Sequence, residues 1–248
     1  MRALASVLLL SATLAVAGCG SDTSTDAGSV APAPAAATTP DTTAPASTPD
    51  AASSDSTDAT SDLKVKQGTC AEVDAPPVKP TEVAKPEGKL DPTKKNLVTF
   101  ETSCGTIVIQ LDAKDHPITA NAVAWLAQKG YYDKTVFHRV APGFVVQGGD
   151  PLGTGMGGPS WKLTEPPASD ETYPRGTFAM AKAGNDPVGT VNSQFFIMTG
   201  GSLDPSYAVA GKVISGMDAT AGMEKLAAAP DGPPTRTIEL IKATFSAK

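Results

Sequence analysis

Aromatic residues are scarce: Phe, Trp and Tyr make up only 5% of the 248 residues. That is low for a chain packed as core from end to end. Cysteine and histidine are scarcer still, at three and two. Cys70, Cys104, His116 and His138 match no metal-ligand spacing, so neither a metal nor another cofactor is expected. An excess of positive charge is also missing. The formal net charge is -6, which excludes a nucleic-acid binder that relies on a basic surface. The imbalance is local: Gly20–Asp62 holds seven Asp and no Lys or Arg. Setting those aside, with Arg2, leaves nineteen acids against nineteen bases from Leu63 onward. A neutral remainder argues against both a phosphate-backbone partner and a strongly cationic substrate. The sequence has no G-x-x-x-x-G-K-[ST] phosphate loop and no G-x-S-x-G elbow, so a hydrolase reading lacks an activated nucleophile.

One long apolar run is present, Ala3–Ala17, behind Met1-Arg2. It is shorter than the roughly 20 residues that a membrane-spanning helix needs, and it fits the apolar region of a secretory signal. It ends in Val16-Ala17-Gly18-Cys19, which resembles the bacterial lipobox. That resemblance implies a signal over 1–18, cleavage before Cys19, a diacylglycerol on its thiol, and an extracytoplasmic protein anchored to the bacterial cell membrane. An ordinary signal peptide with a chance Cys is the alternative.

Residues 19–62 follow as a tether of Ala, Ser, Thr, Asp and Pro with no aromatic residue. Such a segment cannot bury enough surface to offset its ordering entropy and is expected to be disordered. Residues 63–95 read as an extended linker, with Leu63–Lys66 alternating like a short strand and Pro at 76, 77, 80, 86 and 92. With Cys19 lipidated, Cys70 and Cys104 remain as an even pair. Outside the cytoplasm that suggests a disulfide; two buried or free thiols are the alternative.

The texture changes at Asn96, and 96–248 reads as one domain. Leu97–Thr102 and Thr106–Leu111 alternate with period two around Ser103-Cys104-Gly105, a hairpin with a three-residue loop. Asp115-His116-Pro117 opens a helix that Gly130 closes. Short apolar runs follow, at 136–140, 144–147, 176–181, 194–198 and 208–213. A second helix is expected over Asp218–Ala228 and a last strand over Thr237–Phe245. Short strands with one helix near each end suggest a mainly β fold, a closed antiparallel barrel with helices over its openings.

Gly153-Thr154-Gly155-Met156-Gly157-Gly158 satisfies G-x-G-x-x-G. A dinucleotide site needs a helix next; Pro159, Trp161, Pro166 and Pro167 follow instead, so the run reads as a Gly-rich surface loop. The specific signal is Phe137-His138-Arg139-Val140-Ala141-Pro142-Gly143-Phe144-Val145-Val146-Gln147-Gly148-Gly149-Asp150, with Gly176–Ala181 and Asn192–Ile197 downstream. On the residues alone, Arg139 among aromatics is either a functional group or a structural cation–π or ion pair. The Phe195-Phe196 pair is more often core than site.

F-H-R-x-x-x-G-F-x-x-Q-G-G-D together with S-Q-F-F-I resembles the cyclophilin family of peptidyl-prolyl isomerases, from about Asn96 to the C-terminus. The resemblance implies an eight-stranded antiparallel barrel capped by two helices. It also implies isomerisation of X–Pro bonds, with Arg139 as the catalytic arginine and Gln147 orienting the substrate beside it. Phe144, Val145, Phe196 and Leu203 match the walls of the proline pocket. Ala181 and Lys182 match the segment that pairs with the substrate backbone, Gln194 a further polar contact, and Tyr207 a position where many relatives carry His. Ser202 stands where several members place Trp. Ala210 replaces a usual Phe and is expected to alter the pocket floor. His138 is read as structural, because no proton transfer is needed. The partners implied are flexible Pro-containing polypeptides, bound by a monomer. A chaperone or scaffold that binds Pro segments with little turnover is the alternative.

Overall fold

The structure, a computed structural model, describes residues 65–248. The signal, Cys19, the tether and Leu63-Lys64 lie outside the described residues. From Asn96 the chain runs through β1 (Asn96–Thr102), β2 (Gly105–Leu111), α1 (Pro117–Gln128), β3 (Thr135–Val136), β4 (Arg139–Ala141), β5 (Val145–Gly148) and β6 (Leu163–Thr164). There follow β7 (Thr177–Met180), β8 (Thr190–Val191), β9 (Phe195–Met198), β10 (Val209–Ser215), α2 (Met217–Glu224) and β11 (Glu239–Ala247).

Nine strands form one antiparallel sheet in the order β3-β11-β1-β2-β10-β7-β9-β5-β4, and β6 pairs with β8 separately. The mainly β class with two helices holds. The closed eight-stranded barrel is corrected to a nine-stranded curled sheet. Its edge strands β3 and β4 have two and three residues and form no ladder with each other. The curl is completed by a single bridge, Val136↔Asp150, and by the short Phe137-His138 link between the two edges.

Local chemistry explains most boundaries. In the first hairpin Thr102 pairs with Gly105, so the loop is the two residues Ser103-Cys104 and not three. Pro117 stands in the first turn of α1, where its missing N–H costs nothing. No side chain of the helix caps it; instead Glu165 accepts hydrogen bonds from the Ile118 and Thr119 amides at 3.0 and 2.7 Å. The second helix ends four residues earlier than expected, because Ala227 is drawn into a bridge with Pro234.

Strand alternation sorts the apolar side chains into two clusters. The interior holds Val140, Val146, Phe178, Ile197 and Phe195, the last packed against Phe178, Phe100, Tyr132 and Phe137 with centroids 4.9, 5.1, 5.5 and 5.7 Å away. The outer face holds Ala141, Val145, Ala179, Phe196, Met198 and Val209. Ala210 lies in the interior cluster, fully buried, and not in the pocket floor. It follows Val209 in β10, so it must face the other way; the expectation of an altered pocket floor is corrected.

Residues 65–95 are extended, but they are bound along the domain and do not act as a free linker. Lys79 Nζ donates to the Gly130, Tyr131 and Asp133 carbonyls at 2.7, 3.1 and 2.5 Å, placing a cation just past the C-terminus of α1. Trp125, Tyr131 and Trp161 donate to the carbonyls of Ala84, Thr81 and Val83. Cys70 and Cys104 form a disulfide at a sequence separation of 34. A loop of that length stabilises by about 3 to 4 kcal/mol in the chain-entropy account. Cys104→Ser is therefore expected to lower the unfolding free energy by about that much in urea titrations. A loss under about 1 kcal/mol would show that the carbonyl contacts alone hold the segment.

Candidate functional site

The site is a row of cross-strand partners on the outer face of the sheet. Arg139 in β4 pairs with Gln147 in β5, Gln147 with Phe196 in β9, and Phe196 with Ala179 in β7. Directly opposed residues lie close enough for their side chains to interact, so register alone assembles the group. One register step further, Ala141, Val145 and Met198 form a second row.

Above these rows is a small pocket of ≈ 120 Å³ lined by Arg139, Phe144, Val145, Gln147, Ala181, Lys182, Phe196, Leu203 and Tyr207. All the expected pocket residues are here except Gln194. The Phe195-Phe196 pair is divided between the clusters: Phe195 is core and Phe196 is site. Tyr207 meets Phe196 edge-on at 5.3 Å. It is held by Tyr173, whose hydroxyl donates to the Tyr207 carbonyl at 2.8 Å and accepts from its amide at 3.1 Å. Lys182 Nζ lies 5.7 Å from the centre of the Tyr207 ring. The Ala181 amide donates to the Gln194 carbonyl. Ser202 is exposed and does not line the pocket.

A polar chain runs behind the apolar wall. Arg139 Nη1 donates to Gln147 Oε1 at 2.9 Å, and Gln147 Nε2 donates to Gln194 Oε1 at 3.1 Å. Gln194 Nε2 donates in turn to the carbonyls of Gly155 and Gly157, at 3.0 and 2.8 Å. Gln194 is thus a buried support behind Gln147. On the other side, Arg139 Nε and Nη2 donate to the two oxygens of Asp231 at 2.6 and 2.7 Å. These bonds, chiefly, hold the guanidinium above its ordinary pKa, and they hold the Asp231 carboxyl below its own.

The Gly-rich loop is organised by its own carboxylate. Asp150 accepts from the amides of Leu152, Thr154 and Gly155. Burial pushes this carboxyl up, but the amide bonds outweigh it and leave the pKa below the ordinary value. Amides turned onto Asp150 are not offered to a phosphate, which is the physical reason this G-x-G-x-x-G is no nucleotide site. A Cβ at Gly157 would overlap Asp150 Oδ1; one at Gly149, whose φ is 84°, would overlap the Ser193 carbonyl. Among the described residues, no group of three or more His, Cys, Asp or Glu could hold a metal ion.

Sequence reading missed Asp231 and Tyr173. Asp231 lies 92 residues from Arg139. Its Pro-Asp-Gly-Pro-Pro context reads as an ordinary loop, and nothing local marks it.

The sequence model of the family described as "Cyclophilin type peptidyl-prolyl cis-trans isomerase/CLD" matches residues 97–245. Among curated relatives, the peptidyl-prolyl cis-trans isomerase-like 1 of Gibberella zeae is 35% identical over 154 residues, covering 59% of this chain and 92% of its own. The peptidyl-prolyl cis-trans isomerase ppi1 of Schizosaccharomyces pombe is 38% identical over 152 residues, covering 59% and 96%. Among solved structures, a Cryptosporidium parvum cyclophilin type peptidyl-prolyl cis-trans isomerase, crystallised in the presence of the dipeptide Ala-Pro, is similar. Its TM-score is 0.56 at 30% identity, over 61% of this chain and 99% of that one.

His138 is mostly buried, and among the described residues neither ring nitrogen has a hydrogen-bond partner. Burial, opposed by Asp150, lowers its pKa below the ordinary value near 6.5. Folding thus favours the neutral imidazole, while the unfolded chain binds the proton at higher pH. The stability this provides is present above about pH 6.5 and is lost as pH falls through the lower folded value. Titration of the His138 ring by NMR should give a midpoint below 6.5 in the folded protein. In His138→Gln the corresponding part of the acid-side loss of stability should vanish. A midpoint at or above 6.5 would overturn this.

Proposed function

Since the chain belongs to the cyclophilin-type peptidyl-prolyl cis-trans isomerases, we propose that it accelerates X–Pro rotation in exported or surface polypeptides through a hydrogen bond from Arg139 to the prolyl nitrogen. The observation that carries this reading is the Arg139 guanidinium, tied to Gln147 and Asp231, standing at the wall of a small pocket whose apolar side is made by Phe144, Val145, Phe196 and Leu203.

The X–Pro amide resists rotation by about 18–20 kcal/mol, because turning it breaks C–N resonance. No covalent chemistry is required; the site must bind the twisted amide better than either planar form. In the planar amide the nitrogen lone pair is delocalised and accepts poorly. As the bond twists, the nitrogen pyramidalises and becomes an acceptor. A fixed donor then contributes only near the top of the barrier, where it lowers the activation energy. Arg suits this role because it stays charged and its planar fork can be held on one side while donating on another. Phe144, Val145, Phe196, Leu203 and Tyr207 would take the prolyl ring, as an Ala-Pro ligand would present it. Gln147 sits beside Arg139 to orient the substrate amide, and Ala181 and Lys182 border the path of its backbone.

The location is part of the same proposal. The apolar run ending at Cys19 and the Pro/Asp-rich segment after it support a bacterial lipoprotein that holds its isomerase domain away from the membrane surface. One acyl chain binds only marginally, so stable anchoring requires the two chains of a diacylglycerol.

X–Pro exchange in a short Ala-Pro peptide, measured by NMR, tests the chemistry. The protein should accelerate it, and Arg139→Ala should lower kcat/KM on the order of 10²-fold with the aromatic core resonances unchanged. A loss under about threefold would refute the arginine mechanism. Absent exchange in the folded wild type would leave a Pro-binding chaperone. For the anchor, Cys19→Ser should move the protein from the membrane to the soluble fraction and remove the lipid mass. An unchanged membrane fraction would count against lipidation.

A further inference from the structure

We infer that Asp231 is a positioning residue for the isomerisation, aiming Arg139 by occupying one edge of its guanidinium. This rests on the reading of Arg139 given above.

Arg has five N–H donors in a fixed plane. Asp231 takes Nε–H and one Nη2–H, and Gln147 takes one Nη1–H. Among the described residues, one N–H remains without a partner on each terminal nitrogen. With partners on both sides, the guanidinium cannot turn in its plane without breaking a charge-assisted bond. The free donors therefore keep one direction before substrate arrives, which is what a donor aimed at a transition state requires.

The backbone places Asp231 as deliberately as the sheet places Gln147. Val140, next to Arg139, forms a bridge with Gly232, next to Asp231; the Val140 amide donates to the Gly232 carbonyl at 2.7 Å. Arg139 and Asp231 are then diagonal neighbours on one face, a separation that a long side chain spans. The loop is pinned again by the Ala227↔Pro234 bridge and by the Thr235 amide on the Leu226 carbonyl at 2.7 Å. Asp231 is thus carried by a fixed backbone, although its side chain is 53% exposed and that of Arg139 33%. At that exposure an ion pair adds little to stability. Its conspicuous effect is on direction.

The occupied edge also selects among ligands. The Nε/Nη2 edge is the one that a carboxylate prefers to grip with both oxygens. With Asp231 already there, an acidic side chain or a C-terminal carboxylate of a substrate cannot take it. The negative charge of Asp231 beside the guanidinium disfavours a second anion at the remaining N–H groups, which favours a neutral acceptor such as a prolyl nitrogen.

The test is a kinetic comparison of Asp231→Ala, Asp231→Asn and Asp231→Glu with wild type and Arg139→Ala, on neutral and on Glu-flanked Ala-Pro peptides. For Asp231→Ala we expect kcat about tenfold lower on the neutral peptide, KM within twofold, and tighter binding of the Glu-flanked peptide. Asp231→Asn should recover part of kcat, since an amide oxygen still accepts one N–H. The Arg139 Nε–H resonance should exchange slowly in wild type, where it is bonded to Asp231, and rapidly in Asp231→Ala. If kcat and the Nε–H exchange of Asp231→Ala both match wild type while Arg139→Ala is inactive, Asp231 only fastens its loop and the inference is overturned. If Arg139→Ala is itself active, the mechanism above fails and takes this inference with it. Should Asp231→Ala fail to fold, the Asn and Glu variants decide between the same outcomes.

Discussion

Phe195 fills the centre of the curled sheet, touching the rings of Phe100, Tyr132, Phe137 and Phe178 at once. Aromatic pairs at these spacings contribute beyond the area they bury, so the strand that carries Phe195 has one strongly preferred register. Successive side chains of a strand point to opposite faces. With Phe195 inward, Phe196 must stand outward, and the register of β9 with β5 and β7 puts Gln147 and Ala179 beside it. The pocket is the outer face of the layer whose inner face is the core. A slip of one residue would bury the site and expose the core together.

On that apolar scaffold the polar groups form one connected chain. It runs from the Asp150-centred Gly-rich loop through Gln194 and Gln147 to Arg139 and ends on Asp231. In a partly dry site each such bond is stronger than in water, and each unmade one costs more. The chain thus explains how a side chain as flexible as Arg139 holds one geometry. It also gives the Gly-rich loop a role unrelated to phosphate: two of its carbonyls fix the amide of Gln194.

The N-terminal part of the described chain serves the same end indirectly. The segment 65–95 supplies the cation past the C-terminus of α1, accepts from both Trp side chains, and is fastened by the Cys70–Cys104 bridge. The Glu165 carboxylate meets the other end of the helix. The N-terminus of the helix is thus met by a distant carboxylate, while at its C-terminus the Trp125, Leu126 and Ala127 carbonyls accept from the amides of Lys129, Tyr131 and Gly130. A segment whose composition reads as a linker is in fact held by backbone carbonyls, and composition does not show where those point.

Period-two alternation and the Pro at the helix start were enough to read the mainly β class, the first hairpin and both helices, and the motifs that resemble the cyclophilin family implied every residue that lines the pocket. These features are local: they depend on side-chain type and on spacing within a few residues. Closure of the sheet, the inward side of Ala210, the docking of 65–95 and the grip of Asp231 on Arg139 were not legible. Each depends on which distant backbone lies alongside, and register between strands far apart in the chain is set by the packing of the whole core. The sequence by itself determined which residues could do the chemistry. Only the tertiary structure decided which way Arg139 points, because its direction is set by two partners, one of them 92 residues away.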